Sequence, residues 1–207
     1  MINLIVAYDD NDLDLGDYFE LSFNDISVNF STNNGITVRP IRGLNCTEDY
    51  VLGEINSFTE EPFGFVGLSH GDESHLLTEN NVYVDCNSLA HFKKTLFYST
   101  ACSTAIELGK LLIKNDCFSY VGFADDTFAT YEEFYNDYIE CENYCLKDFF
   151  NSENTIKQSF DSMLKRFDEK ILELESKDEI LVAMELIGNK DSFVLYGNTE
   201  LTKSDLE

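Results

Sequence analysis

The sequence predicts an α/β fold with three α/β/α layers around a mostly parallel central sheet. Three observations carry this. Short apolar runs of strand length alternate with stretches of helical period. No Ser/Gly/Pro-rich linker divides the 207 residues, only two prolines occur, and 43% of residues are apolar, so one domain over 1–207 is expected. Two of the apolar runs end on reactive side chains, as strands do at the ligand-binding edge of a parallel sheet.

The elements follow in order. Residues 2–8 read as the first strand, and a helix is expected within 14–31. Ile36 to Ile41 read as a second strand with Pro40 near its end, and Thr47 as the cap of a helix over 48–58. Phe63 to Ser69 form a third strand that runs into His70-Gly71. His75–Thr78 and Val82–Asp85 flank Glu79-Asn80-Asn81, which is hairpin chemistry. A short helix over 87–93 leads to a fourth strand, 95–100, which runs into Ala101-Cys102. A helix over 103–115 and a fifth strand, 118–123, follow. Phe134, Tyr138, Cys141, Cys145 and Phe149 mark one amphipathic helix, and Ile156, Phe160, Met163, Phe167, Ile171 and Leu174 another. Ser192–Gly197 read as a last strand.

Charge narrows the partners. Fourteen basic residues stand against 39 acidic ones, a net charge of −25. Such a field repels nucleic acid and anionic membrane surfaces and attracts basic partners. No nucleic acid and no membrane partner is expected. The first apolar run lacks a basic start and a small-residue cleavage site and meets Asp9-Asp10 at once, so it reads as a strand and not a signal peptide. A cytoplasmic location is expected, with the six cysteines (Cys46, Cys86, Cys102, Cys117, Cys141, Cys145) as reduced thiols.

Chemistry concentrates at two strand ends. If the third and fourth strands are neighbours, His70 and Cys102 meet at one edge, and a thiol beside an imidazole is the equipment of a cysteine nucleophile. With a helix from 103, Cys102 would sit at a helix N-terminus, which lowers a thiol pKa and offers N–H groups to an oxyanion. Gly71 lets a carbonyl approach the backbone, and its N–H is a second donor. No cofactor and no metal are needed.

Rival chemistries fail on particular residues. A receiver domain needs an Asp where His70 stands, and a cysteine phosphatase needs an Arg after Ser103-Thr104-Ala105-Ile106-Glu107-Leu108. Cys141 and Cys145 lie one helical turn apart, but no second pair completes a zinc site.

The order strand, His-Gly, hairpin, short helix, strand, Ala-Cys resembles the caspase-like cysteine peptidases: caspases, legumain, clostripain, gingipains and separase. Ser99-Thr100-Ala101-Cys102 and the closing Phe193-Val194-Leu195-Tyr196-Gly197-Asn198 resemble most closely the bacterial CHAT domains. Two departures stand out: Ser103-Thr104-Ala105 replaces the residue and Thr-Gly that follow many CHAT cysteines, and Asn198-Thr199 replaces the terminal Asp-Pro. The resemblance implies a caspase-like fold with Cys102 as nucleophile and His70 as general base. It further implies a protein substrate, control by an activating protein partner, and a place in bacterial antiviral defence or cell death. A non-catalytic module that keeps this fold is the alternative. Strand one ends at Asp9-Asp10, and Asp125-Asp126 follow strand five. If both pairs flank Cys102, these carboxylates wall a pocket for Arg or Lys; clostripain, separase and one gingipain type, which the chain resembles, are similar in preferring Arg before the scissile bond.

Overall fold

The strand-length apolar runs pair into one sheet. The computed structural model describes residues 1–31, 35–58 and 61–207. Its first elements are β1 (Ile2–Tyr8), α1 (Gly16–Phe30), β2 (Ile36–Arg42), α2 (Glu48–Asn56) and β3 (Phe63–Leu68). The small strands β4 (His70–Gly71), β5 (Leu76–Leu77) and β6 (Val82–Val84) follow, then β7 (Thr95–Ser99), α3 (Leu108–Lys114) and β8 (Ser119–Phe123). The chain continues through α4 (Tyr135–Glu142), α5 (Tyr144–Asn151), α6 (Ile156–Ser176), α7 (Ile180–Ser192) and β9 (Phe193–Gly197).

The main sheet has the order β2-β1-β3-β7-β8-β9. Its first five strands run parallel, and β9 returns antiparallel along β8. Alternation along each strand sends side chains to two cores. Leu4, Val6, Val66, Leu68, Tyr98 and Phe123 pack under α1 and α4–α7. Ile5, Ala7, Phe65, Phe97 and Tyr120 pack on the other face, under α2 and α3. A parallel sheet covered on both faces explains why these runs are continuously apolar.

β3 and β7 are direct neighbours, with Gly67 opposite Ser99. The segments that follow them therefore emerge side by side at one edge. β1 lies on the other side of β3, with Tyr8 opposite Leu68, so the acidic run after it reaches the same edge. The hairpin is present, and His70-Gly71 adds a third strand to it, in the order β4-β5-β6.

Two expectations change, and one helix appears that was not expected. The single amphipathic helix over 134–149 is two, α4 and α5, broken at Asn143. The Asn143 amide donates to the Ser22 carbonyl at 3.2 Å and to Asp25 at 3.0 Å, which ties the break to α1. Residues 180–192 carry no clean apolar stripe, yet they form α7. Val182, Ala183 and Leu186 are buried there while Ile180, Leu181, Met184 and Ile187 are exposed, so apolar residues ring the helix. The helix expected over 103–115 begins only at Leu108.

Other boundaries follow local chemistry. Thr47 caps α2 by accepting from the Tyr50 N–H, and Thr155 and Gln158 close a capping box on α6. Among the described residues no helix is long and apolar enough to cross a membrane.

Candidate active site

At the end of β3, Ser69 is buried and bonds to the Tyr83 hydroxyl at 2.7 Å. His70 follows, half-buried. Its Nε2 lies 3.0 Å from Oδ2 of Asp12, in the loop after β1. The Phe19 ring stands perpendicular to the imidazole, with centroids 5.8 Å apart. One nitrogen is thus held by a carboxylate, which fixes the ring and leaves Nδ1 free to act as a base.

Asp12 is itself well held. Its side chain accepts the N–H of Leu15 at 2.7 Å and of Asp14 at 3.0 Å. Burial pushes its carboxyl up, but these bonds and the imidazole outweigh it and hold Asp12 below its ordinary value. Sequence reasoning stopped at Asp9-Asp10 and missed this residue. Asp12 lies two and three residues before the N–H groups it caps, a turn typical of Asp at the entry to a helix, but nothing in that turn names His70 as its partner.

After β7, the Thr100 N–H donates to Gly67 at 3.1 Å and the Ala101 N–H to the Ser99 hydroxyl at 3.1 Å, which carries the β3–β7 register on to Cys102. The Thr127 N–H donates to the Cys102 sulfur at 3.4 Å, and the Thr127 hydroxyl lies at the same distance. Cys102 does not start a helix. Turns occupy 102–107, and Ser103 takes a φ of 59°. The Ser103 N–H donates to Asp125 at 3.0 Å and the Ala105 N–H to Phe123 at 2.8 Å, so these N–H groups serve the loop after β8 instead of a helix end. The expected helix terminus is therefore absent at Cys102, and the N–H that reaches its sulfur is that of Thr127.

Gly71 also has a role other than the expected one. A Cβ there would sit 2.7 Å from Ala101 Cβ and from Thr104 Cγ2, and 2.9 Å from the Cys102 carbonyl. Its bareness lets β4 pack against the cysteine loop. Asp72 donates to His75 at 3.2 Å, and by antiparallel alternation the Gly71–Leu76 pair is a non-bonded one. The Gly71 N–H thus points away from β5.

His70 and Cys102 line one cleft of about 50 Å³, together with Thr127 and Phe128. No direct hydrogen bond joins the two side chains. Tyr18 and Glu142 line the cleft as well, and both are buried. Glu142 was missed by sequence reasoning because it stands on the buried stripe of a helix, where position alone says nothing of a cleft.

The four acids expected to wall a pocket are not gathered there. Asp9 is buried and lines a separate cavity of about 20 Å³ beside Thr78 and Glu79. Burial pushes its carboxyl up. Asp10 is paired with Arg42. Asp125 and Asp126 are exposed next to the cysteine loop, where the Ser103 hydroxyl donates to Asp126 at 3.2 Å. None of these four carboxylates lines the cleft of Cys102. The loop that follows is tied to α7: the Phe128 N–H donates to Asn189 Oδ1, and Asn189 Nδ2 donates to the Phe128 carbonyl, both at 2.8 Å.

Other cysteines are of a different kind. Burial pushes the Cys46 and Cys117 thiols up to about 12, and raises Cys141 and Cys145 as well. Those four are core residues.

The architecture has a solved counterpart. The crystal structure of the Arg specific cysteine proteinase gingipain R matches 97% of this chain with a TM-score of 0.53 and 11% identity. The fold is that of a caspase-like cysteine proteinase. This chain spans 47% of the length of gingipain R. A secreted C11 cysteine protease from Bacteroides thetaiotaomicron, solved with an irreversible peptide inhibitor, matches over 75% of this chain and 60% of its own, with a TM-score of 0.45 and 11% identity. No family model matches the sequence, and no curated protein does.

Proposed function

We propose that this chain is a cysteine endopeptidase with Cys102 as nucleophile and His70 as general acid and base. The observation that carries the reading is the shared cleft of His70 and Cys102, with His70 held by the buried Asp12 carboxylate, on a caspase-like proteinase fold. The Cys102 thiol gives its proton to His70 Nδ1, and the sulfur attacks the substrate carbonyl carbon. The N–H groups of Gly71 and Cys102 hold the oxyanion that forms. The tetrahedral adduct collapses as His70 protonates the departing amine, leaving a thioester. Water then gives a proton to His70 and its oxygen to the acyl carbon, which frees the carboxylate and restores the thiol.

The substrate is a protein cut after Arg or Lys. A net charge of −25 favours approach of a basic segment, and an acid lies within the cleft. A cytoplasmic role in a bacterial defence or death circuit, switched by a partner protein, accords with the resemblance to CHAT domains. Phe128 and its Asn189 clamp adjoin the thiol and give such a partner a direct route to it.

The test is reaction of the folded chain with a peptidyl-arginine chloromethyl ketone, read by mass spectrometry. The expected product is one adduct, on Cys102, that is lost in His70→Ala. An adduct that forms equally on Cys86, or none at all, overturns the reading in favour of a non-catalytic module of the same fold.

A further inference from the structure

Glu142 is a carboxyl in an unusual place. It is 4% exposed, yet it lines the cleft that His70 and Cys102 share. Its two oxygens accept from neutral donors only: the Tyr18 hydroxyl at 2.7 Å and the Asn189 amide at 3.1 Å. Among the described residues no Lys, Arg or His pairs with it. It is also the last residue of α4, whose C-terminal carbonyls disfavour a second negative charge and favour a cation. A buried carboxyl with no counter-charge avoids the cost of a buried charge by keeping its proton, and it ionises where a cation reaches it.

We propose that Glu142 is the specificity-determining residue of this site, and that it binds the guanidinium or ammonium group of the substrate residue before the scissile bond. This rests on the endopeptidase reading and assigns its basic preference to Glu142 instead of Asp9, Asp10, Asp125 or Asp126. Tyr18, Phe19 and Phe128 give the alkyl part of such a side chain apolar and aromatic walls. The room, about 50 Å³, is several water volumes by the same measure and suits a planar head-group.

Protonation follows from the same burial. Desolvation pushes the Glu142 carboxyl up to about 8, against the two bonds it accepts. The ionisable groups that face it are Tyr18 on α1, Tyr98 on β7, Tyr138 and Cys141 on α4, and His70 and Cys102 across the cleft. Burial pushes all three phenols up, so they stay neutral. In the free chain near neutral pH, Glu142 then keeps its proton. A bound cation drives that proton off.

Calorimetry on the Cys102→Ala chain tests this with Nα-acetyl-arginine amide and its uncharged citrulline counterpart. The arginine probe is expected to bind in preference, to release close to one proton at pH 7 (read from buffers of different ionisation enthalpy), and to bind more tightly as pH rises towards 8. Glu142→Gln keeps the shape and both hydrogen-bond partners. It should weaken the arginine probe by roughly 30-fold or more, as loss of one partner of a buried charge pair does, and leave the citrulline probe unaffected. Binding of arginine without proton release in the Cys102→Ala chain, equal affinity for the two probes, or no binding at all overturns the assignment. The release measurement does not depend on the variant folding. Selective arginine binding through Glu142 in a chain whose Cys102 forms no adduct would reject the peptidase reading alone. Labelled Cys102 with unchanged arginine preference in Glu142→Gln would reject this assignment alone.

Discussion

Replacing Asp12 by Asn isolates what the imidazole orientation is worth. Asp12 makes three bonds: to the N–H groups of Leu15 and Asp14, and to His70 Nε2 at 3.0 Å. An Asn oxygen can keep the two backbone bonds, so the loop survives. The amide nitrogen then faces Nε2 as a donor, and Nε2 must become the acceptor. The ring proton moves to Nδ1, the nitrogen that has to accept the thiol proton. General base catalysis is worth roughly 10²–10⁴-fold, and a wrong tautomer forfeits most of it, about 3–5 kcal/mol of barrier. Peptide cleavage by Asp12→Asn should fall in kcat by that factor with KM little changed and thermal unfolding near wild type. A kcat within threefold of wild type would refute the claim that Asp12 orients the base.

Other perturbations have defined outcomes. Gly71→Ala places a Cβ 2.7 Å from two side-chain carbons of the cysteine loop, so it should cost about 1–3 kcal/mol in denaturant unfolding and displace Cys102, with loss of cleavage. Wild-type stability with full activity would contradict that packing. Glu142→Gln should change how stability depends on pH. The folded value of Glu142, about 8, lies above its ordinary 4.5, so between these values the folded chain holds a proton that the unfolded chain lacks. Stability falls as pH rises through that window, by about 3 kcal/mol at pH 7 from this group. The variant cannot titrate there, and its stability relative to wild type should grow from pH 5 to pH 8; parallel curves would show that the carboxyl is not desolvated.

The parallel sheet was legible because strands buried on both faces are short, largely apolar runs bounded by polar residues, as in Phe63–Leu68 and Thr95–Ser99. The pairing of His70 with Cys102 followed from one topological assumption, adjacent strands, and β3 does lie beside β7. The local conformation after Cys102 was not legible. Ser103 to Glu107 has helical composition, but tertiary bonds to Phe123, Asp125 and Glu73 take its N–H groups. Nor was the partner of His70: the choice among Asp9, Asp10 and Asp12 depends on the turn that aims each one, and only Asp12 faces the imidazole. Glu142 was hidden for another reason. Its helix pattern reads as core, and core it is, except that the cleft opens onto it.

The most direct test of the account compares cleavage of arginine-containing peptides by wild type, Cys102→Ala, His70→Ala and the double variant. The two residues act as one unit, so each single change should abolish cleavage and the double variant should be no worse than either. Cleavage that persists in purified, folded Cys102→Ala would contradict the assignment of the nucleophile.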